Sequence, residues 1–403
     1  MDVIVLGLML LSLTIWLGLL CFWGQFWRTD EQLEVTENQL QSLPAVCAVV
    51  PARNEAELIP TSLRSLLLQD YPGSFNVFLV DDRSTDRTAN FAEGVAHAVG
   101  KPQQLHIISG VSLPPGWSGK LWAVEQGIKS ASLFAPDYFL LTDADIKHDP
   151  GNLRRLVAKA VQEDLDLVSV MVRLRCESFW EKLLIPAFVF FFQKLYPFRW
   201  VNNPNNPTAA AAGGSILISR EALERIGGIQ VIRQALIDDC ALAQAVKKSG
   251  GQGDRENNPM PSQGRIWLGL SSLTRSLRPY DSLATIWDMV ARTAYTQLNY
   301  SPLLLLGTLV GMPLIYLVPP VCVILGAVWS NWAIAFTGLL GWLLMTFAYY
   351  PTIRFYKCSV WFAFSLPAIA FLYTLMTLDS ALRHWQGRGG AWKGRVYPNP
   401  DNL

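Results

Sequence analysis

Hydrophobic residues form two patterns along the chain: long unbroken runs near both ends, and short runs separated by polar segments in between. Val3 to Trp23 is an apolar run of the ~20 residues that a helix needs to cross a bilayer. It has no basic N-terminal region and no small-residue cleavage site, which favours a retained anchor (residues 1–27) over a removed signal peptide. Residues 301–380 are predicted to hold three more spans, with a kink at Pro319–Pro320 in the first: Leu303–Trp329, Ala333–Tyr349 and Val360–Leu378.

Two basic segments flank the last of these runs and leave the membrane topology open. "RFYK" at 354–357 precedes it, and the basic tail, residues 381–403, follows it. The positive-inside rule places both segments in the cytoplasm, but a single crossing would separate them. Either Leu303–Trp329 or Val360–Leu378 is not a simple span, or the rule fails here.

Residues 40–300 show the alternating pattern of an α/β domain. Short runs rich in Val, Ile and Leu predict strands that are buried on both faces, and amphipathic segments between them predict helices. This alternation indicates a mostly parallel sheet with helices on its faces. The predicted strands are 45–52, 76–82, 105–110, 138–145 and 165–172, and the predicted helices are Glu55–Gln69, Asp86–Val99 and Lys120–Ser132.

Two segments of this region have no clear place in the alternation. Residues 182–198 are aromatic and apolar but are charged at both ends and contain prolines. They fit an interfacial or acceptor-facing segment, and they fit a buried helix equally well. Residues 250–264 are polar and rich in Gly and Pro, which predicts a loop.

Composition narrows the function. Hydrophobic residues make up 51% of the 403 residues and charged residues only 16%, which is typical of a membrane-attached protein. A net charge of +1 argues against nucleic acid as a partner. The six cysteines and four histidines show no metal-binding spacing, so neither a disulfide framework nor a zinc site is expected.

Acidic residues follow three of the predicted strands. The first strand ends in Pro51–Glu55, the second in Asp81–Asp86 and the fourth in Asp143–Asp145. Because the carboxyl ends of parallel strands lie at one edge of a sheet, where ligands bind, we expect these groups to converge. A second Asp-x-Asp, Asp164 and Asp166, precedes its strand and is expected in a solvated turn at the opposite edge. Residues 146–150 are expected to form the exit turn to the next helix, with no role for His148.

Carboxylates that converge on one edge need a cation or hydrogen-bond donors opposite them. The lack of thiol and imidazole clusters favours a hard, oxygen-binding ion, Mg²⁺ or Mn²⁺. Asp143 and Asp145 are therefore the predicted metal ligands, with a diphosphate and water completing the shell.

Three further groups have a functional and a structural interpretation. Asp238 and Asp239 begin an amphipathic helix, where they would serve as caps or as a general base. Lys120 follows a Gly-containing turn and opens a helix, a setting suited to a phosphate or to an ordinary exposed lysine. The small-residue stretch 209–219 allows close backbone approach to a ligand or tight packing.

The ordered motifs "VVPARNE", "VFLVDDRSTDRT", "GWSGKLWAVEQG", "LLTDADI", "GGSILISREALERIGG" and "DDCALA" resemble the family 2 inverting glycosyltransferases. The terminal spans, "GWSGKLWA", "IDDCALA" and "WKGRVYP" resemble most closely the hopene-associated branch, whose relatives include ceramide glucosyltransferase. The resemblance covers nearly the whole chain and implies a GT-A, Rossmann-like catalytic domain over residues 40–300.

The resemblance also implies roles for individual residues. Asp239 would be the general base with Asp238 as its neighbour, and Asp143 and Asp145 would be the metal motif. Residues implied in nucleotide-sugar binding are Pro51, Arg53, Glu55, Asp81, Asp82, Lys120 and Asp143. The Q/R-x-x-R-W motif of processive and ceramide-type relatives is absent, and Arg292 in "WDMVARTAYTQL" is the candidate for its diphosphate-binding arginine.

The expected function is transfer of a sugar from a nucleoside-diphosphate sugar, a UDP-sugar by expectation, to a membrane-lipid hydroxyl with inversion. A hopanoid acceptor is implied only by the resemblance. The expected location is a bacterial cell membrane, crossed several times, with the catalytic domain in the cytoplasm. The alternatives are a processive polysaccharide synthase, a non-catalytic membrane module with a degenerate transferase domain, and a nucleotidyltransferase, against which the acidic "PARNEAE" argues.

Overall fold

The structure, a computed structural model, describes residues 2–33, 43–250 and 264–389, and the backbone of 391–392 and 395–396. Most of the predicted loop 250–264 and the end of the basic tail lie outside the described residues. The strands are β1 Val46–Ala52, β2 Phe75–Asp81, β3 Leu105–Ser109, β4 Tyr138–Leu141, β5 Ile146–Lys147, β6 Leu167–Arg173, β7 Ile216–Ser219, β8 Ile266–Ser276, β9 Ala391–Trp392 and β10 Arg395–Val396. The α-helices are α1 Asp2–Phe22, α2 Ile59–Leu67, α3 Thr88–Ala98, α4 Gly119–Ala131, α5 Asn152–Gln162, α6 Phe179–Leu195, α7 Phe198–Val201, α8 Arg220–Arg225, α9 Asp238–Ser249, α10 Leu283–Ala291, α11 Ala294–Gln297, α12 Pro302–Met312, α13 Val318–Val328, α14 Trp332–Phe355 and α15 Leu366–Trp385.

Eight strands form one sheet in the order β3-β2-β1-β4-β7-β6-β8-β5. The pairs β1–β2, β2–β3, β1–β4 and β6–β8 are parallel, while β7 is antiparallel to both of its neighbours and β5 is antiparallel to β8. All seven residues of β1 are buried, as expected for a central strand covered by helices on both faces. The prediction of an α/β fold with a mostly parallel sheet is confirmed.

The prediction of an exit turn at residues 146–150 is wrong at its start. The fourth predicted strand ends at Leu141, and Ile146 and Lys147 then pair with Ser276 and Arg275 at the end of β8. Ile146 is 3% exposed, so its burial beside β8 favours extended backbone over a solvated turn. This short pairing brings the end of β8 alongside the Asp143–Asp145 loop.

Four helical segments are long and apolar enough to cross a membrane. They correspond to the four predicted runs; the first two end one residue earlier than predicted, at Phe22 and Val328, and the last two extend further, to Phe355 and Trp385. The irregularity predicted at Pro319–Pro320 appears as a π-helical turn over residues 313–317 directly before them. Because Pro319 has no N–H for the Ile315 carbonyl four residues earlier, that carbonyl instead accepts a 2.8 Å hydrogen bond from Trp16 Nε1 on α1.

Helix α6 lies between the sheet and the candidate membrane helices. This position bears on the choice between an interfacial segment and a buried helix for residues 182–198. Ile185 and Val189 pack into the core of the sheet domain, whereas Leu184 and Phe190 pack among α10, α14 and α15. The segment is thus largely a buried helix, and it begins with a capping box between Ser178 and Glu181.

Two contacts to the rest of the chain flank the candidate span Val360–Trp385. Before it, the Tyr356 carbonyl at the end of α14 accepts a 2.8 Å hydrogen bond from Arg173 at the end of β6. Near its end, Arg383 Nη1 lies 2.8 Å from Asp288 Oδ1 on α10. Both basic segments that conflict with a single crossing, 354–357 and the residues after 385, therefore begin near the sheet domain.

Candidate active site

A cavity of about 530 Å³ opens at the carboxyl edge of β1 and β4, between the sheet and helices α6 and α10. Its position follows from the topology, since β1, β2 and β4 are adjacent and parallel and end at the same edge. Eight of the sequence-predicted residues line it: Pro51, Glu55, Lys120, Asp143, Asp145, Asp238, Asp239 and Arg292.

Lys120 joins two acidic segments that are far apart in sequence. Its Nζ lies 3.0 Å from Asp143 Oδ1 and 3.0 Å from Asp238 Oδ2. Lys120 lies in the first turn of helix α4. The hydroxyl of Ser118, the N-cap residue of this helix, accepts a 3.2 Å hydrogen bond from the Leu121 N–H and fixes that turn. The side chain is only 19% exposed, so the interpretation of Lys120 as an ordinary exposed lysine does not hold.

The charges around Lys120 shift one another's ionisation. Burial lowers the pKa of Lys120, but the carboxylates of Asp143, Asp238 and Asp239 outweigh this effect and raise it, so that the ammonium stays charged. Burial raises the pKa of Asp143, and Lys120 opposes that rise. The lysine therefore stabilises the ionised carboxylates in the part of the site with the most negative charge.

Asp239 is held by two backbone N–H groups. Gly213 N–H donates to Oδ2 over 2.8 Å, and Cys240 N–H donates to Oδ1 over 2.8 Å. A Cβ at position 213 would lie 3.4 Å from Asp239 Oδ2 and from Lys120 Nζ, so the small-residue stretch does permit close approach here. The residue at the helix N-cap is Ile237, without a side-chain cap, so simple capping does not describe either aspartate.

The ionisation of Asp239 is set by its surroundings. Burial, followed by the negative charge of Asp238, raises the pKa of Asp239 to about 6, while Lys120 and the two N–H donors oppose the rise. A carboxylate with a pKa in this range is ionised near neutral pH and can still accept a proton, as a general base requires.

Asp145 and Glu55 share an arginine that the sequence did not single out. Arg278 Nη2 donates to Glu55 Oε1 over 2.6 Å, and its Nε donates to Asp145 Oδ2 over 3.1 Å. The Ser276 hydroxyl donates to the same Asp145 oxygen over 3.1 Å. Arg278 lies 133 positions from Asp145 in sequence, and only the β5–β8 pairing brings them together.

Three of the predicted nucleotide-binding residues lie beside the cavity rather than in its lining. Arg53 Nη1 donates to the Asp82 carbonyl over 2.6 Å and lies 3.8 Å from its carboxylate, which is 1% exposed. Asp81 Oδ1 accepts the Ser84 N–H over 3.0 Å and shapes the turn after β2. A Cβ at Gly110 would come within 2.9 Å of the Asp81 carbonyl, so the end of β3 approaches this turn closely.

Helices α6 and α10, which also pack against the candidate membrane spans, contribute another part of the cavity lining. Phe188 and Phe192 come from α6 and Met289 comes from α10. Thr285, Asp288 and the exposed Arg292 of α10 line the cavity as well. The lining toward the candidate spans is thus apolar on α6 and mixed on α10.

The sequence predicts no role for His148, but the structure shows that this residue supports the site from below. It is 3% exposed, and burial lowers its pKa to about 4, so it is neutral at physiological pH. Because the Thr142 hydroxyl already donates to the Gly214 carbonyl over 2.7 Å, His148 Nε2 donates to Thr142 Oγ1 over 3.1 Å. Its Nδ1 accepts from Asn152 Nδ2. This network fixes the residue that precedes Asp143.

The donor chemistry of Asp143 and Asp145 fits a hard divalent cation. Both offer carboxylate oxygens on one short loop at the cavity, and the described residues contain no cluster of three or more His, Cys, Asp or Glu suited to a metal. Two carboxylates suffice for Mg²⁺ or Mn²⁺, which take further ligands from water and phosphate. Zinc would require more nitrogen or sulfur ligands from the protein.

Comparison with known proteins gives a family match and similar solved structures. Residues 47–227 match glycosyl transferase family 2. The fold is similar to a mannosyltransferase from Pyrobaculum calidifontis solved with GDP-Man and Mn²⁺, with a TM-score of 0.53 at 18% identity over 94% of this chain and 99% of that chain. Glucosyl-3-phosphoglycerate synthase from Mycobacterium tuberculosis, solved with phosphoglyceric acid, has a TM-score of 0.40 at 17% identity over 68% of this chain and 87% of that chain.

Among curated sequences, an uncharacterized protein of Methanocaldococcus jannaschii is 32% identical over 124 residues, which is 30% of this chain. The match spans 44% of that relative's length. The chain therefore carries a glycosyltransferase domain with a GT-A-like sheet. The part that matches glycosyl transferase family 2, residues 47–227, holds the edge with Asp143 and Asp145. The prediction of a glycosyltransferase is confirmed at this level, and the hopene-associated branch stays a prediction.

Proposed function

We propose that this protein transfers a sugar from a nucleoside-diphosphate sugar to a hydroxyl group of a membrane lipid, with inversion at the anomeric carbon. The observation that supports it most is the mixed lining of the cavity. Asp143 and Asp145, after β4, and Asp239, at the start of α9, line one part of it, and Phe188 and Phe192 in another part belong to a helix that also packs against candidate spans. The polar sugar donor and the apolar lipid acceptor would thus bind in the same cavity.

On the donor side, Asp143 and Asp145 would hold Mg²⁺ or Mn²⁺, with Lys120 next to them. When bound, such an ion supplies positive charge that stabilises the departing diphosphate. Pro51, Arg53, Glu55, Asp81 and Asp82 would bind the nucleoside part, for which UDP is our proposal. Arg292, at the end of α10, would contact the diphosphate.

On the acceptor side, Asp239 would take the proton from the lipid hydroxyl, with Asp238 adjusting its basicity. The hydroxyl oxygen would then bond to the anomeric carbon while the bond from that carbon to the diphosphate breaks. A single displacement of this kind inverts the configuration. The N–H donors of Gly213 and Cys240 would hold the carboxylate in place during the transfer.

For the membrane arrangement, we propose residues 1–27 as an anchor, 301–380 as membrane helices and 381–403 as a basic tail, in a bacterial cell membrane. The catalytic domain, residues 40–300, would lie in the cytoplasm. The contacts of Tyr356 with Arg173 and of Arg383 with Asp288 favour placing "RFYK" and the start of the tail on this same side, as the positive-inside rule requires. Helix α15 would then lie along the interface instead of crossing once.

The test is a transfer assay on the full chain in lipid nanodiscs. UDP- and GDP-sugars are supplied with Mn²⁺ or Mg²⁺ and with lipid extracts that contain or lack hopanoids, and products are identified by mass spectrometry. We expect a metal-dependent glycolipid whose anomeric configuration is opposite to that of the donor. A product that retains the configuration, or sugar transfer only to a soluble acceptor, would contradict the proposal.

A further inference from the structure

Arg278 lies between two carboxylates to which the proposed function assigns donor and metal binding. Its guanidinium contacts Glu55 Oε1 at 2.6 Å and Asp145 Oδ2 at 3.1 Å. The Glu55 side chain is 7% exposed and the Asp145 side chain is 11% exposed, while Arg278 is 32% exposed. The arginine is therefore the partly accessible counter-charge of two nearly buried acids.

The backbone near Arg278 is anchored, but the end of its side chain faces the cavity. The Leu277 N–H donates to the Asp145 carbonyl over 2.8 Å, and the Ser276 hydroxyl donates to Asp145 Oδ2 over 3.1 Å. Arg278 itself lines the cavity. A rotation of its side chain would move the guanidinium within the cavity without breaking the sheet pairing.

A divalent cation on Asp145 would conflict with the contacts that Arg278 makes now. Asp145 Oδ2 already accepts hydrogen bonds from Ser276 and from the guanidinium. A metal ion at this carboxylate would place two further positive charges within a few ångströms of the arginine, which disfavours both cations at once. A nucleoside diphosphate would offer the displaced, planar guanidinium two phosphate oxygens that can accept a bidentate pair of hydrogen bonds.

We propose that Arg278 exchanges partners during donor binding: it neutralises Asp145 and Glu55 before binding, and it moves to the diphosphate when a divalent cation takes Asp145. The inference rests on the proposed function, because it requires a metal at Asp145 and a diphosphate donor. Arg278 would then be a donor-binding residue that also limits metal binding in the absence of donor.

Exchange of this kind predicts effects of opposite sign on two ligands. In Arg278→Gln, Mn²⁺ alone should bind about fivefold or more tightly than in the wild type, because a competing cation is removed. With Mn²⁺ saturating, UDP and GDP should bind about tenfold or more weakly, because a charge-assisted contact is lost. Electron paramagnetic resonance of free Mn²⁺ and calorimetry with UDP and GDP measure these constants on the full chain in nanodiscs.

The matched control is Arg225→Gln, at the opposite edge of the sheet. Arg225 Nη2 pairs with Asp166 Oδ1 at 2.6 Å, so this variant also removes an arginine from an Asp-x-Asp sequence. It should leave both affinities unchanged. Arg278→Lys keeps the positive charge, so it should restore wild-type Mn²⁺ affinity and recover only part of the nucleotide affinity. Arg278→Met, which also removes the charge and should show the same opposite shifts, replaces Arg278→Gln as the primary variant if the latter does not fold.

The outcomes separate the inference from the function on which it rests. Weaker binding of both ligands in Arg278→Gln, or a change in only one, would overturn the exchange and leave the glycosyltransferase proposal standing. If wild-type protein binds neither UDP nor GDP in the presence of Mn²⁺, the proposed function fails and the inference fails with it. The same opposite shifts in Arg225→Gln would assign them to general electrostatics and would also overturn the inference.

Discussion

The two Asp-x-Asp sequences lie at opposite edges of the same sheet and have opposite charge surroundings. Asp164 and Asp166 precede β6, where Arg265 lies 3.0 Å from the first and Arg225 lies 2.6 Å from the second. Each acid has its own arginine, and Asp164 is 92% exposed. At this amino edge each aspartate has an arginine partner; the Asp164 pair is exposed, whereas Asp166 and Arg225 are only 22% and 23% exposed.

At the carboxyl edge, acids outnumber the cations that contact them. Lys120 is shared by Asp143 and Asp238, and Arg278 is shared by Asp145 and Glu55. Asp239 adds a fifth carboxylate, held by N–H groups. Holding this much negative charge in a cavity is unfavourable unless a cation or a proton arrives, so the excess itself is the functional signal. The two Asp-x-Asp sequences thus differ in function because of the sheet edge on which they lie.

The difference between the two edges is tested most directly by neutralising one acid at each edge. Asp239→Asn should lower kcat by about 10²–10⁴-fold, because the residue can no longer accept the hydroxyl proton. Asp166→Asn should leave kcat unchanged, although loss of its bond to Arg225 should lower the free energy of unfolding by about 1 kcal/mol. Initial rates of glycolipid formation, with thermal unfolding measured in parallel, report both effects.

The Asp239→Asn result is interpretable only if the donor site stays intact. Calorimetry with UDP and Mn²⁺ should therefore give the same dissociation constant in the variant as in the wild type. Full transfer activity in a variant that binds donor normally would exclude Asp239 as the base and would leave its N–H contacts with a structural role only.

The second comparison uses the metal. Asp143→Asn should weaken Mn²⁺ binding in the presence of UDP by about tenfold or more, whereas Asp164→Asn should not change it. Adding EDTA to the wild type should abolish transfer, and adding back Mn²⁺ or Mg²⁺ should restore it. Electron paramagnetic resonance of Mn²⁺ measures the affinity directly. Equal Mn²⁺ affinity in the two variants would mean that the carboxyl edge is not a metal site.

Features that depend on neighbouring residues in the sequence could be predicted, whereas features that depend on long-range pairing could not. Strands β1, β2 and β3 lie where the apolar runs predicted them, and acids after a parallel strand must lie at its carboxyl edge. Arg278 gave no such signal, because its proximity to Asp145 depends on the β5–β8 pairing across 133 residues. The ends of the last two membrane segments were also missed, because their final turns include polar residues such as Arg354 and Arg383, whose charges lower hydropathy without ending a helix.

The smallest expected effect is on the pH dependence of kcat. Burial and Asp238 raise the pKa of Asp239 to about 6, and a base acts only when ionised. The logarithm of kcat should therefore fall by about one for each pH unit below about 6 and level off above it. Because the charge of Asp238 contributes to the rise, Asp238→Asn should shift this limb to lower pH.

The same raised pKa should change stability in the opposite direction. Between the ordinary pKa of an aspartate, 3.8, and about 6, the folded protein binds a proton at Asp239 that the unfolded chain has lost. This group therefore contributes stability below pH 4 that is lost as the pH rises to about 6, while activity increases over the same interval. The unfolding temperature of metal-free Asp239→Asn, relative to the wild type, should accordingly increase from pH 4 to pH 6.5. A difference that is constant over this interval would show that the pKa of Asp239 is not raised in the folded protein.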